Sequence, residues 1–314
     1  MMTRTLTPER RELLEEALEL RRAGLTEQNI AEILGQPQQT ISYWLSIIGN
    51  GTTTNIGKEA TPTKNTKIGI TNNPLTLYQG KYEDVAPRIP NESIDLIITD
   101  PPYLVADTDI TRTGRADFRR NHGQWDKTRD EQYAHYVDIW ADLMTCHLKN
   151  GGSLYLFMDT RKHHLWTKAF ESRDLVHKNT LIWHRTNPAP QIRQTQWCHS
   201  YDAILYFTKG AAKTFKWQGQ NEMHDFLVGG IASGNERLWH PTQKPRWLLL
   251  RLIVVSSMPG DTILDPFAGS GSTAFSCAQK IRNIILIEPA PQFAGLIEGT
   301  AKDEFNRQVK VVNG

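Results

Sequence analysis

The sequence predicts an α/β sheet domain preceded by a small all-α module. Three observations lead there. From residue 68 short apolar strands alternate with helical stretches, the texture of a sheet with crossover helices. A glycine turn, Gly269 to Gly271, sits between a strand-like run and a helical one. Residues 8–48, in contrast, show only helical spacing. The 314 residues suffice for one large domain and one small extra module, at about 100–200 residues per domain. Hydrophobic residues at 39% and charged residues at 22% are those of a globular protein. No apolar run approaches the roughly 18 residues of a membrane span, and the start, Met1 to Arg10, lacks the apolar stretch of a secretory signal. Cys146, Cys198 and Cys277 are far apart and form no C-x-x-C, which excludes a disulfide framework and a cysteine zinc site. Lysine and arginine total 36 against 34 acids, so any basic surface must be local.

The expected organisation is a helical module at 1–48, a linker at 49–67 and the sheet domain at 68–314. In the module, Leu13, Leu14, Ala17, Leu18 and Leu20 form an apolar stripe that Gly24 ends. A second helix opens at Thr26, turns Ile30, Ala31, Ile33 and Leu34 inward, and stops at Gly35. The third follows Pro37, with Ile41, Trp44 and Leu45 on its apolar face and Gln38, Gln39, Thr40, Ser42 and Tyr43 outside. Leu25-Thr26, Ile30-Ala31, Leu34-Gly35 and Thr40-Ile41-Ser42 together resemble the DNA-binding helix-turn-helix family. That resemblance makes Gln38, Gln39, Thr40 and Tyr43 candidates for base contact. A three-helix packing module is the alternative, because five arginines face seven glutamates within residues 1–50. Residues 49–67 hold one large apolar residue, Ile56, as a flexible linker would.

The first strand that carries chemistry is Ser93 to Thr99, which runs into Asp100-Pro101-Pro102-Tyr103. Two prolines make a stiff turn with no N–H to donate, at the carboxyl end of a strand, where open α/β sheets bind ligands. A carboxylate, a proline carbonyl and an aromatic ring suit a planar group bearing NH2. A plain strand-terminating turn fits the tetrapeptide as well. Further on, Thr262 to Phe267 is strand-like and Ala268-Gly269-Ser270-Gly271 leads into a helix through Ala278. Asn283 to Ile287 is the next strand, ending in Glu288, an acid suited to two ribose hydroxyls. Gly269-x-Gly271-x-x-Ala274 also fits a nicotinamide-binding dehydrogenase. His240-Pro241-Thr242-Gln243-Lys244-Pro245, upstream of a helix from Arg246 to Ser256, has no place in a dehydrogenase.

Taken in order, Asp100-Pro101-Pro102-Tyr103, the His240 to Pro245 segment and Phe267-x-Gly269-x-Gly271 resemble the β-class amino-methyltransferases of DNA, over about residues 74 to 308. Leu77-Tyr78-Gln79-Gly80, Leu148 to Phe157 and Ile182-Trp183-His184-Arg185-Thr186-Asn187-Pro188 support the likeness. The catalytic turn precedes the cofactor loop, the circularly permuted order of that class. The resemblance implies a doubly wound, mostly parallel sheet of seven strands with one antiparallel, and S-adenosylmethionine as cofactor with no metal. It also implies a cytoplasmic protein of bacterial or phage type that acts on double-stranded DNA and uses no membrane; a homodimer and a restriction partner stay open. Phe267, Ala268, Gly269, Ser270 and Gly271 would line the methionine end with Asp265 nearby. Glu288 would hold the ribose, Thr242 and Lys244 would meet the methionine carboxylate or shape that end of the pocket, and Phe293 would pack by the adenine. Lys81 stands where the family often has an acid, and Asp202 where glutamate is common.

The implied reaction is methyl transfer to the N6 amine of adenine. Asp100 and the Pro101 carbonyl would accept the amine's hydrogens, and Tyr103 would stack on a base flipped from the duplex. Cytosine-N4 transfer is the near alternative, and a helix-turn-helix regulator with a vestigial enzyme domain the distant one. Cytosine-C5 chemistry needs a Pro-Cys nucleophile, which no cysteine here provides. Target-recognition insertions are expected near 104–125 and 183–238. Arg112, Arg115, Arg119 and Arg120 are candidates in the first; Arg185, Asn187 and Arg193, interleaved with Trp183, Trp197 and Trp217, are candidates in the second.

Overall fold

A computed structural model of the chain describes residues 17, 20–21, 27–34, 36–49, 75–102, 111–113, 116–118, 130–188, 190, 194–195, 197–238, 243–277, 282–303 and 308–313. Two compact units emerge, residues 1–68 with 216–224, and residues 69–215 with 225–314.

In the first unit, α1 (Glu27–Leu34) and α2 (Gln38–Gly49) are joined through Pro37. The Pro37 carbonyl accepts from the N–H groups of Thr40 and Ile41 at 2.9 and 3.3 Å, which opens α2. Ala17, Leu20, Ile30, Ala31, Ile41 and Trp44 are buried, while Gln38, Gln39, Ser42 and Tyr43 are exposed, as the apolar spacing predicts. The expected linker lies outside the described residues from 50 onward.

In the second unit the strands are β1 (Leu75–Gln79), β2 (Ile94–Thr99), β5 (Leu148–Met158), β6 (Leu175–Arg185), β7 (Tyr201–Lys209), β8 (Phe226–Gly229), β9 (Thr262–Asp265), β10 (Asn283–Glu288) and β11 (Val309–Asn313). They form one nine-stranded sheet in the order β11-β1-β10-β9-β2-β5-β7-β6-β8. All neighbours pair parallel except at β7, which is antiparallel to both β5 and β6. The single antiparallel strand is the one expected. The expected seven strands become nine because β11 and β8 extend the two edges. Each edge strand is short and half exposed, with Phe226 and Val228 open on β8, and at four and five residues neither is long enough to stand out as a strand in sequence. A separate hairpin, β3 (Thr111–Thr113) with β4 (Ala116–Phe118), falls in the first expected insertion.

The helices of this unit are α3 (Tyr82–Val85), α4 (Asp130–His147), α5 (His163–Glu171), α6 (Arg246–Ser256), α7 (Ser272–Ser276) and α8 (Pro291–Asp303). Ile97, Leu154, Phe207 and Leu264 from the strands pack with Tyr82, Trp140, Met144, Trp166 and Phe170 from the helices in one core cluster. Inside it the Tyr82 hydroxyl bonds His147 Nδ1 at 2.9 Å and His147 Nε2 bonds the Ala86 carbonyl at 3.2 Å. Burial holds the pKa of that imidazole below its ordinary value. The neutral tautomer with its proton on Nε2 satisfies both partners.

Candidate active site

Because β10, β9, β2 and β5 are adjacent and parallel, their carboxyl ends share one edge of the sheet, the edge at which such folds bind ligands. Glu288 ends β10, Asp265 ends β9 and Asp100 follows β2.

Asp265 faces inward. Its Oδ1 accepts from Thr99 Oγ1 at 2.9 Å and from the Phe267 N–H at 3.2 Å, and its Oδ2 accepts from Thr273 Oγ1 at 2.7 Å. It thereby ties the end of β2 to the glycine turn and the start of α7. Burial pushes its carboxyl up to about 6 against those three donors, and the neighbouring charge of Asp100 adds to the rise.

Glu288 grips the turn from the other side. Its Oε2 accepts from Gly269 N–H and its Oε1 from Ala290 N–H, each at 2.9 Å. Burial pushes it up to about 7. The Ala268 N–H donates to the Ile287 carbonyl at 3.0 Å, so the turn is pinned to the end of β10. Gly269 and Gly271 have φ of 51° and 74°, the left-handed region that glycine enters at low cost. A Cβ on Gly271 would also stand 3.0 Å from Ile297. Phe267 is half buried and meets Trp140 and Tyr82 edge-on at 4.8 and 6.0 Å. Ser270 and Phe293 are partly exposed, and Ala268 is buried. The helix expected from this turn through Ala278 is described only as the five residues of α7.

Lys244 is 8% exposed, and its Nζ donates to Asp100 Oδ2. It lies 5.0 Å from the Phe157 ring centroid. The segment that carries it is folded on itself, since Gln243 Nε2 donates to the Glu236 carbonyl at 2.8 Å and Gln243 Oε1 accepts from Leu238 N–H at 2.6 Å. Glu236 Oε1 accepts from the Arg246 N–H. Pro101 and Pro102 follow Asp100 directly. Tyr103 and Thr242 lie outside the described residues.

The turn residues Phe267 to Gly271, Glu288 and Asp265 thus come together around the ends of β9 and β10, with Asp100 and Lys244 at the end of β2. The DNA candidates are dispersed. Arg185 is bound to its own chain: Nη1 donates to Asp202 at 2.9 Å, and Nη2 donates to the carbonyls of His199 at 2.7 Å and Tyr201 at 3.2 Å. It closes the base of the segment between β6 and β7 and is engaged in holding that segment. Asn187 is exposed and its Oδ1 accepts from Ile231 N–H at 2.9 Å. Trp197, in the same segment, is 96% exposed. Arg112 lies in β3, its side chain outside the described set, as are Arg115, Arg119, Arg120 and Arg193. Gln38, Gln39, Thr40 and Tyr43 lie on α2 of the first unit. Among the described residues no group of three His, Cys, Asp or Glu could hold a metal, and no helix is long and apolar enough to cross a membrane.

Sequence reading missed Thr99, Thr273, Phe157 and Trp140. Thr99 had a signal, a hydroxyl next to Asp100 at the end of a mostly apolar run; Thr273, among the small residues after Gly271, had none. Phe157 and Trp140 carry no signal of their own in the sequence; Trp140 is a core aromatic whose Nε1 is buried with no hydrogen-bond partner.

The profile of the DNA methylase family N6_N4_Mtase matches residues 94–298. The chain is 30% identical over 240 residues to the Type II methyltransferase M.HinfI of Haemophilus influenzae, covering 71% of this chain and 67% of that protein. It is 29% identical over 241 residues to the Type II methyltransferase M2.DpnII of Streptococcus pneumoniae, covering 73% and 90%. Among solved structures, the M1.HpyAVI–SAM complex superposes with TM-score 0.56 at 22% identity, over 72% of this chain and 98% of that one. The PvuII cytosine-N4-specific DNA methyltransferase superposes with TM-score 0.60 at 16% identity, over 76% and 94%. At these identities the superpositions show a shared fold.

Proposed function

The chain belongs to the DNA methylase family whose profile spans most of its sheet domain, and from that premise we propose that it methylates the exocyclic N6 amine of adenine at a specific site in double-stranded DNA, with S-adenosylmethionine as donor. The carrying observation is the placement of Asp100 on the strand beside the glycine turn and Glu288, at one sheet edge.

The residues around the turn fit that donor. Glu288 offers a buried carboxylate suited to two ribose hydroxyls. Gly271 lets the turn pack directly against Ile297 and Phe275, which a Cβ would crowd. Phe267 and Phe293 add aromatic surface, while Asp265, turned onto Thr99 and Thr273, shapes the turn from behind. When bound, the cofactor supplies a sulfonium-activated methyl group. An adenine amine is a weak nucleophile because its lone pair is delocalised into the ring. Asp100 and the Pro101 carbonyl favour a tetrahedral nitrogen by accepting its two hydrogens, and Tyr103 stacks on the extruded base. Fixing amine and methyl in line supplies much of the acceleration.

Asp100 in the first position of the turn favours adenine as the target. Recognition falls to the segment within 183–238 that presents Trp197 and Asn187, with the α2 face of the first unit as a second DNA contact. The test is methylation mapping of DNA incubated with the pure chain and labelled S-adenosylmethionine, beside Asp100→Ala. N6-methyladenine in one sequence context, lost in the variant, is the expected result. N4-methylcytosine would overturn the base, and cofactor binding without transfer would overturn the reaction.

A further inference from the structure

The HPTQKP resemblance directs Lys244 to the cofactor's carboxylate or to shaping that end of the pocket, and in the structure its side chain is engaged with Asp100. Its ammonium donates to Asp100, after β2, and stands over the ring of Phe157, on β5. In the sheet order β10-β9-β2-β5, Asp100 follows β2 itself and Phe157 is on β5, one strand further from β9 and β10, which hold the glycine turn. Lys244 is almost buried, and a buried ammonium is stable only against an opposite charge. The segment that carries it is stitched by Gln243 and Glu236, so the ammonium is delivered to Asp100 by a folded loop and not by a wandering surface chain.

We propose that Lys244 is a positioning residue for the target amine, acting through Asp100, and not a ligand of the cofactor's carboxylate. The proposal rests on the methyltransferase reading above and deepens it. A carboxylate on a single chain bond can rotate, and each rotation carries its acceptor lone pairs away from the amine hydrogens. The ammonium on Oδ2 fixes the plane of the group, so that Asp100 meets the amine in one orientation. Such a contact acts on the transfer step and leaves cofactor affinity almost untouched. A carboxylate ligand would do the reverse.

The test separates the two. Binding of S-adenosylhomocysteine to the full chain is measured by calorimetry, and methyl transfer is measured in a single turnover at saturating cofactor, for the unaltered chain, Lys244→Met and Lys244→Arg. The expected result for Lys244→Met is an affinity within about threefold of the unaltered chain and a transfer rate lower by roughly 10- to 100-fold, the effect of one hydrogen bond to a charged partner. Lys244→Arg should recover part of the rate, since it restores the ion pair without the same reach. A tenfold or greater loss of S-adenosylhomocysteine affinity, with or without a loss of rate, overturns the proposal, as does an unchanged rate in Lys244→Met. Thermal melts identify a variant that fails to fold, and Lys244→Gln, closer in polarity, then replaces Lys244→Met in both measurements. The binding measurement can overturn the proposal on its own, and failure of the unaltered chain to methylate any DNA would be seen separately, as failure of the proposed reaction.

Discussion

The carboxylate of Glu288 is buried, accepts two backbone N–H bonds and is pushed up to about 7 by desolvation, so its charge changes close to neutral pH. To take two ribose hydroxyls it must be the ionised acceptor. Below about pH 7 the cofactor-free chain binds a proton there, and that proton must leave before the ligand is held. Affinity for S-adenosylhomocysteine is therefore expected to rise from pH 6 to pH 8, by up to about tenfold per unit on the acid side. Glu288→Gln should bind more weakly and with a flat profile. Calorimetry across that range checks it, and a flat profile in the unaltered chain would remove Glu288 from the ribose. The same shift has a consequence for stability. A carboxyl whose folded pKa is raised from 4.5 to about 7 contributes stability that is full below the lower value and lost as pH rises through the higher one. The loss is about 3 kcal/mol at most for a buried group. The burial-lowered pKa of His147 works in the opposite direction, stabilising the fold as pH rises toward the unfolded imidazole value. Comparing pH-dependent melts of the cofactor-free chain with those of Glu288→Gln isolates the carboxyl's part, and the variant should lose less stability between pH 5 and pH 7.5.

At the scale of elements, the turn between β9 and α7 depends on two glycines in the left-handed region, while α8 contains glycines that nothing requires. Gly271→Ala places a Cβ 3.0 Å from Ile297 and 3.1 Å from Phe275 at a φ of 74°. The backbone conformation alone costs roughly 1–2 kcal/mol, and the crowding adds to it. We expect a lower melting temperature and weaker cofactor binding together. Gly299, inside α8, has open space where a Cβ would go, so Gly299→Ala is expected to raise stability by about 0.5–1 kcal/mol with binding unchanged. If both variants behaved alike in denaturant titrations, the turn would not be the strained element described. The same contrast marks what the sequence could disclose. The strands ending at Asp100 and Glu288 were legible because their apolar runs stop at a polar residue beside Pro or Gly. The edge strands β8 and β11 were not, being only four and five residues long and largely exposed. Lys244 was legible as part of a motif, but its partner Asp100 lies 144 residues away and only the folded sheet brings them together. Arg185 read as a DNA-contact candidate because its partner Asp202 belongs to the next strand, in the register that pairs it with Trp183.

For the molecule as a whole, every residue proposed for cofactor and catalysis belongs to the second unit, while the exposed amide and phenol face of α2 belongs to the first. The chain's net charge is only +2, and residues 1–50 hold fewer arginines than glutamates. Phosphate attraction therefore gives the first unit little DNA affinity, and any contribution it makes must come through hydrogen bonds to base edges. That distinction can be measured in the full chain with Gln38→Ala, Gln39→Ala and Tyr43→Ala combined. All three side chains are exposed, so the melting temperature should hold, and S-adenosylhomocysteine affinity, which depends on the other unit's residues, should not change. Affinity for DNA carrying the methylated sequence is expected to fall about tenfold or more, as the loss of one bidentate amide–base contact would produce. Because no cation is removed, the dependence of affinity on salt should keep its slope. Fluorescence anisotropy with a labelled duplex at several salt concentrations reads both quantities. An affinity equal to that of the unaltered chain would make the α2 face a solvated helix surface and leave target recognition to the second unit alone; a changed slope would mean that the face acts on phosphates instead of bases.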